Sequence, residues 1–161
     1  MTDSPVRIRP ATAEDMPAAG RLGAELLLQH HSFDPLRFMA GSERAADGYA
    51  QFLGSQLEEQ DAVILVAEQQ GEVRGYVYAA LEPRNWKELR EAAGFLHDVV
   101  VDRSLRRHGV ATQLVEAACS WLARHGAPRV LLWSATQNAS AQALFDKLGF
   151  RRTMVEMTRE L

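Results

Sequence analysis

The sequence predicts a mixed α/β fold in which antiparallel strands come first and a β-α-β unit comes last. Three observations carry that expectation. A short β-branched run, Ala62-Val63-Ile64-Leu65-Val66-Ala67, crosses the turn Gln70-Gly71-Glu72 into a second apolar stretch, Val73 to Leu81, as a hairpin does. Val110, Leu114, Val115, Ala118 and Leu122 recur at helical spacing between two strand-like runs, Phe95 to Val101 and Val130 to Trp133. No internal repeat, linker or low-complexity tract interrupts the 161 residues, so one domain over 1–161 is expected.

The elements follow in order. Val6-Arg7-Ile8-Arg9 alternates like a half-buried strand. Thr12-Ala13-Glu14-Asp15 reads as a helix start, with Thr12 as N-cap and acids in the first turn, ahead of Met16, Leu22, Leu26 and Leu27 on one face. His30 to Gly41 reads as irregular, with Asp34-Pro35 as its turn signal. Ser42 is placed to cap a second helix carrying Ala45, Tyr49, Phe52, Leu53 and Leu57 at helical spacing. After the hairpin, Glu82 to Ala92 is a polar connection. The helix from Gly109 to His125 ends at Gly126, with Pro128 just beyond. A last helix spans Ala139 to Leu148 and stops at Gly149, and Phe150 to Thr158 alternates as a final strand.

Composition removes several classes of function. Lys+Arg 18 against Asp+Glu 21 gives a net charge of -3, with no basic excess for a nucleic-acid surface. The single cysteine, Cys119, cannot form an intramolecular disulfide. Met1 to Pro10 lacks the apolar centre of a leader peptide, and no stretch approaches the ~18 apolar residues of a membrane span. A soluble, cytoplasmic protein is the expectation, with neither nucleic acid nor membrane as partner.

The informative segment is Val99-Val100-Val101-Asp102-Arg103-Ser104-Leu105-Arg106-Arg107-His108-Gly109-Val110-Ala111-Thr112, which runs strand, basic loop, helix start. A helix N-terminus offers unpaired N–H groups and the positive end of its dipole, a ready seat for a pyrophosphate. Gly109 lets the backbone approach closely, Ala111 keeps the contact short, and Arg106 and Arg107 add charge at the mouth. The same residues also fit an ordinary strand-to-helix turn with solvated arginines. A Walker-type Gly-Lys-Ser/Thr or a G-x-G-x-x-G is absent, which counts against an ATP or dinucleotide site.

Two motifs give the chain a resemblance to a known family. Arg106-x-x-Gly109-x-Ala111 matches the (Arg/Gln)-x-x-Gly-x-(Gly/Ala) acyl-CoA signature of the GNAT N-acetyltransferase superfamily, and it follows the strand-like Asp98-Val99-Val100-Val101. Further on, Asn138-x-x-Ala141-x-x-Leu144-Phe145-x-Lys147-Leu148-Gly149-Phe150 is similar to the second signature of that family. The fourth-strand segment resembles the polyamine-acetylating branch. The resemblance is close from about Phe95 to Phe150 and looser over Val63 to Tyr78.

The resemblance implies a central, mostly antiparallel twisted sheet of six to seven strands, splayed between the fourth and fifth, with about four helices. It implies acetyl-CoA as cosubstrate and no metal. Val99 and Val101 would pair with the pantetheine arm, and a backbone N–H near Val99 would polarise the thioester carbonyl. Main-chain groups of Arg106, Arg107, His108, Gly109, Val110, Ala111 and Thr112 would hold the pyrophosphate. Asn138 would contact pantetheine or cap the fourth helix. Direct attack by an amine needs the amine neutral, and only about one alkyl amine in two thousand is neutral at pH 7. A general base relieves that limit. His97 is favoured and Asp98 second; as neighbours on a strand they are expected on opposite faces. His97 also fits a packed, hydrogen-bonded strand residue.

Phe145 departs from the family pattern, which has Tyr there to protonate the leaving thiolate. Tyr76, Tyr78 or a loop residue would then be the acid, or the thiolate leaves unaided. The departure keeps open a second class, a CoA-binding module with little or no transfer activity. His30, His31 and Asp34 on one side, and Glu82, Arg84 and Trp86 on the other, border the expected acceptor site. The expected acceptor is a small cationic amine or a peptide amine. Dimerisation is common in the family, so a homodimer is implied, with no interface legible. Cys119, Trp121 and Trp133 read as packing, and Arg151, Arg152 and Glu156 as a solvated strand face.

Overall fold

Hydrophobic residues alternate between two sides of one sheet, and that alternation decides where every helix goes. The computed structural model describes residues 4–161; residues 1–3, part of the Met1–Pro10 stretch read above, lie outside the described residues. The sheet has five strands in sequence order: β1 (Arg7–Pro10), β2 (Ala62–Gln69), β3 (Glu72–Glu82), β4 (Ala93–Val101) and β5 (Val130–Leu132). The first four are antiparallel in succession, and β5 joins β4 in parallel. Helices α1 (Met16–Phe33) and α2 (Ala45–Gln56) precede β2, α3 (Val110–Arg124) links β4 to β5, and α4 (Ala139–Lys147) follows β5.

On one face, Val63, Leu65, Ala67, Val77, Ala79 and Leu96 meet Val110, Leu114, Ala118 and Leu122 of α3, with Phe145 of α4 and Leu148 just past its end at the margin. On the other, Ile64, Val66, Tyr76, Tyr78, Ala80 and Val100 meet Met16, Ala19 and Leu22 of α1 and Leu53 of α2. The two helices of that layer touch closely. A Cβ on Gly20 would collide with the Ala46 carbonyl, so glycine sets their separation.

The sheet corrects the expected strand number: five strands form, not six to seven. Phe150 to Thr158 is no strand, although its alternation is strand-like. Residues 151–161 are exposed and make no backbone hydrogen bond to any described residue. Alternation predicts which residues share a face, but a strand exists only where a partner edge is in reach. Two boundaries also move. α1 continues to Phe33, so His30 and His31 lie in its last turn rather than in an irregular segment. Ser42 supplies only its carbonyl, to the Ala45 N–H at 3.1 Å, and its side chain caps nothing.

Candidate functional site

The pairing of β4 with β3 is irregular. The register slips between Tyr78 and Ala79, so that Tyr78 faces Asp98 and Ala79 faces Leu96, and His97 is the extra residue of a β-bulge. The bulge overturns the expectation that His97 and Asp98 point to opposite faces. Asp98 accepts a hydrogen bond from the Tyr76 hydroxyl at 3.0 Å, within the α1/α2 layer. The His97 ring stacks between Tyr78 and Phe95, with centroids 4.9 and 4.8 Å away, on that same side. Strict alternation fails because one inserted residue resets it.

These two side chains have different surroundings. His97 is half-exposed, and its Nε2 lies 2.9 Å from Oε1 of Glu82 at the far end of β3. A carboxylate there accepts the Nε2–H and leaves Nδ1 as the ring's proton acceptor. Asp98 is enclosed. Burial pushes its carboxyl above the usual range, while the Tyr76 hydroxyl and the charges of His97 and His30 pull it back down.

Both line a cleft of about 330 Å³ that opens where β4 and β5 part. The two strands pair over only three positions, Gly94 to Leu96 against Val130 to Leu132, and beyond Leu96 that edge of β4 has no strand beside it. α1 and the loop after it form one wall with His30, Arg37 and Phe38. Tyr49 closes the floor from α2. Trp133, Ser134, Asn138 and Phe145 form the opposite wall. His30 donates from Nδ1 to the Leu26 carbonyl at 2.9 Å within α1, and His31 from Nδ1 to the Phe38 carbonyl at 3.0 Å, which ties the end of α1 to its loop.

The basic turn lies at the outer end of the same β4 edge. A short 3₁₀ turn, Arg103–Leu105, is held by Asp102, which accepts from the Ser104 N–H at 2.8 Å. Arg107 and Gly109 have φ of 67° and 75°, and Gly109 opens α3 without any side-chain cap. The first-turn N–H groups of α3 are therefore not met by a side chain. Arg106 folds back to the Val101 carbonyl at 3.3 Å and His108 to the Arg106 carbonyl at 2.9 Å. Val99 and Val101 edge the α3-side core, and Val110 is buried.

Asn138 caps α4, accepting from the Ala141 N–H at 3.3 Å, and also borders the cleft. Phe145 borders it too, edge-on to Phe150 at 5.6 Å. Tyr76 and Tyr78, the two named substitutes for a tyrosine at Phe145, face the α2 layer, with their hydroxyls committed to Asp98 and Gln56. Burial raises the pKa of both.

Sequence reasoning missed three things. Tyr49, read as core, is the tyrosine that lines the cleft; burial and the Asp98 charge raise its pKa to about 12. The Glu82–His97 pairing crosses fifteen positions, and only the β3–β4 register could have revealed it. Ser134 Oγ is buried without a hydrogen-bond partner among the described residues, in the cleft wall. Trp133, expected to be packed, is 71% exposed, and Cys119 is half-buried with its thiol pKa raised by that burial. Among the described residues no helix is long and apolar enough to cross a membrane.

The cleft wall holds an orphaned buried hydroxyl, β4 has an unpaired edge, and the turn that follows β4 ends at an uncapped helix N-terminus. They suit an elongated ligand with amides in the middle and phosphates at one end.

Comparison with known proteins identifies the family and the fold. The model of the acetyltransferase (GNAT) family matches residues 27–150. Human N-acetyltransferase 8 is 34% identical over 99 residues, covering 62% of this chain and 43% of that protein. The Bacillus subtilis uncharacterized N-acetyltransferase YhfO is 29% identical over 105 residues, 64% of this chain and 68% of that protein. The match thus spans less than half the length of the human relative. Among solved structures, the aminoglycoside N-acetyltransferase AAC(6')-Iy in complex with CoA superposes with a TM-score of 0.76 at 19% identity, over 98% of this chain and 95% of that chain. That likeness concerns the fold.

Proposed function

The chain belongs to the GNAT acetyltransferase family, and from that premise we propose that it transfers an acetyl group from acetyl-CoA to a primary amine, with a small cationic amine as acceptor. The observation that carries the reading is the bulge at His97, which sets an imidazole backed by Glu82 into the cleft beside the unpaired edge of β4.

The first-turn N–H groups of Val110, Ala111 and Thr112, with those of Arg106 to Gly109, would hold the pyrophosphate. The edge of β4 at Val99 and Val101 would receive the pantetheine arm as an added strand, and Ser134 Oγ has a hydrogen bond to offer it. Acetyl-CoA supplies the activated thioester. A backbone N–H near Val99 would polarise its carbonyl.

His97 then takes the amine proton on Nδ1. Glu82 holds the Nε2–H, orients the ring and stabilises the imidazolium. Stacking between Tyr78 and Phe95 limits ring rotation. Asp98 adds a negative charge to the cleft, which favours a cationic acceptor. Its enclosure and its hydrogen bond to Tyr76 make it the weaker candidate for base. Tyr49, held protonated by burial, lines the cleft floor and could pass a proton to the departing thiolate.

Phe145 favours a second reading, a CoA-binding module without transfer, because a phenylalanine in the cleft wall has no proton to give. Two measurements separate the readings. Isothermal titration with acetyl-CoA should show binding that Gly109→Trp abolishes. Thiol release should then accelerate when polyamines are added, and His97→Ala should lower kcat by roughly 10²–10⁴-fold with acetyl-CoA binding retained. Binding without amine-dependent thiol release, across a broad amine panel, would establish the second reading instead.

A further inference from the structure

The cleft holds little charge for a site that is to take a cation. Asp98 is the one carboxylate lining it among the described residues, and it is enclosed. Glu82 stands behind the His97 ring and is not part of the lining. Arg37 is already paired with Glu156. Much of the remaining lining is apolar: Leu26, Leu27, Phe38 and Met39 on the α1 side, Trp133 and Phe145 opposite.

Trp133 stands out in that lining. It is 71% exposed, and Met39 on the facing wall is 74% exposed. One apolar side chain left in water is ordinary, but two on facing walls of a cleft form a surface that a ligand can cover. The indole is also held in place. It meets the Phe95 ring edge-on, with centroids 5.4 Å apart and planes at 89°. Phe95 in turn stacks on His97 at 4.8 Å. A single ring therefore separates the open indole from the imidazole assigned as base. A platform tied to the base in this way fixes where the body of an acceptor lies relative to its amine.

These features select among cationic amines. A linear polyamine carries several ammonium groups, and each needs an anion or water when it leaves bulk solvent. This cleft offers one carboxylate and two apolar walls. A monoamine with one flat apolar group matches it better. Asp98 attracts the ammonium, while the apolar group covers Trp133 and Met39 and releases water from both. Resting on the transferase reading above, we propose that Trp133 is a specificity-determining residue, and that the acceptor is a monoamine joined by a short chain to an aromatic ring.

Steady-state kinetics with 2-phenylethylamine, ethylamine and spermidine test this, beside isothermal titration of 2-phenylethylamine into the CoA-saturated chain. 2-Phenylethylamine should have the highest kcat/KM of the three. Trp133→Ala should lower its kcat/KM relative to that of ethylamine by about tenfold or more, as loss of an apolar contact does. The loss should lie in the KM of the amine, with the KM of acetyl-CoA unmoved. Trp133→Phe, which keeps a ring, should recover most of it. The titration should show binding that Trp133→Ala weakens by a similar factor, with an unchanged thermal melt. A preference for spermidine or ethylamine, a Trp133→Ala loss shared equally by ethylamine, or a loss placed on acetyl-CoA would each overturn the proposal. Failure of the transferase reading looks different: no amine speeds thiol release, yet 2-phenylethylamine still binds in a Trp133-dependent way. Absence of that binding as well would overturn both.

Discussion

The two ends of the sheet are built to different standards. At the β1 end, polar groups are paired and β1 runs along β2 without a register slip. Arg9 reaches both oxygens of Asp15 at 2.7 and 2.9 Å and Glu68 at 2.6 Å, and Asp15 also accepts from the Thr12 N–H at 2.8 Å. At the β5 end, three residues make the whole strand, β4 bulges, Ser134 Oγ has no partner and Trp133 is open to solvent. A sheet that closed its β5 end as tightly as its β1 end would have no cleft. In the proposed function a ligand replaces the missing pairing at the irregular end, and the regular end supplies the stability that permits it.

This division can be broken from the regular side. Leu53 is fully buried between α1, α2 and the sheet. Leu53→Ala should destabilise the protein by about 3 kcal/mol, within the range for cavity-forming substitutions, as read from urea unfolding. Its kcat at a temperature where it remains folded should match wild type. A proportionate fall in kcat would mean that the two ends do not act separately.

Asp15→Asn probes the same end by charge. The Arg9 hydrogen bonds, together with those from Thr12, hold the Asp15 carboxyl at about 2 against an ordinary 3.8, despite its burial. A folded-state pKa below the unfolded one contributes stability above the ordinary value, and that contribution disappears as pH falls toward about 2. The variant should therefore lose about 2 kcal/mol at neutral pH and converge with wild type in strong acid. A pH-independent deficit would show that shape, not charge, matters at this position.

The sequence disclosed the regular end and the basic turn before α3 more readily than the cleft. The runs at Ala62–Ala67, Val73–Leu81 and Gly109–His125 became β2, β3 and α3 because burial on a sheet or helix repeats with a fixed period. Gly109 was legible as well, since a backbone at φ 75° favours glycine. His97 was legible as a residue but not in its orientation. A bulge is a relation between two strands and leaves no mark on one of them. Glu82 and Tyr49 reach the cleft through contacts distant in sequence. Residues 151–161 had the pattern of a strand but make no backbone hydrogen bond to any described residue, and pattern alone does not supply a partner edge.

The smallest effect lies where the two ends meet. Tyr76 is fully buried under α1, yet its hydroxyl donates to Asp98 in the cleft wall. Burial raises the Asp98 carboxyl, and this hydrogen bond is the first of the influences that lower it. Tyr76→Phe removes it and should move the Asp98 titration further up, which carboxyl ¹³C NMR can follow. A raised folded-state pKa means that the native protein binds the proton more tightly. Stability then falls as pH rises from the ordinary carboxylate range to the raised value. The variant should match wild type in acid and fall behind it by about 1 kcal/mol near neutrality, the cost of a lost hydrogen bond where cleft water can replace the donor. A deficit that stays the same in acid would locate the loss in packing around the ring. An unmoved Asp98 titration would show that the cleft wall is set by its own residues and owes nothing to the scaffold beneath.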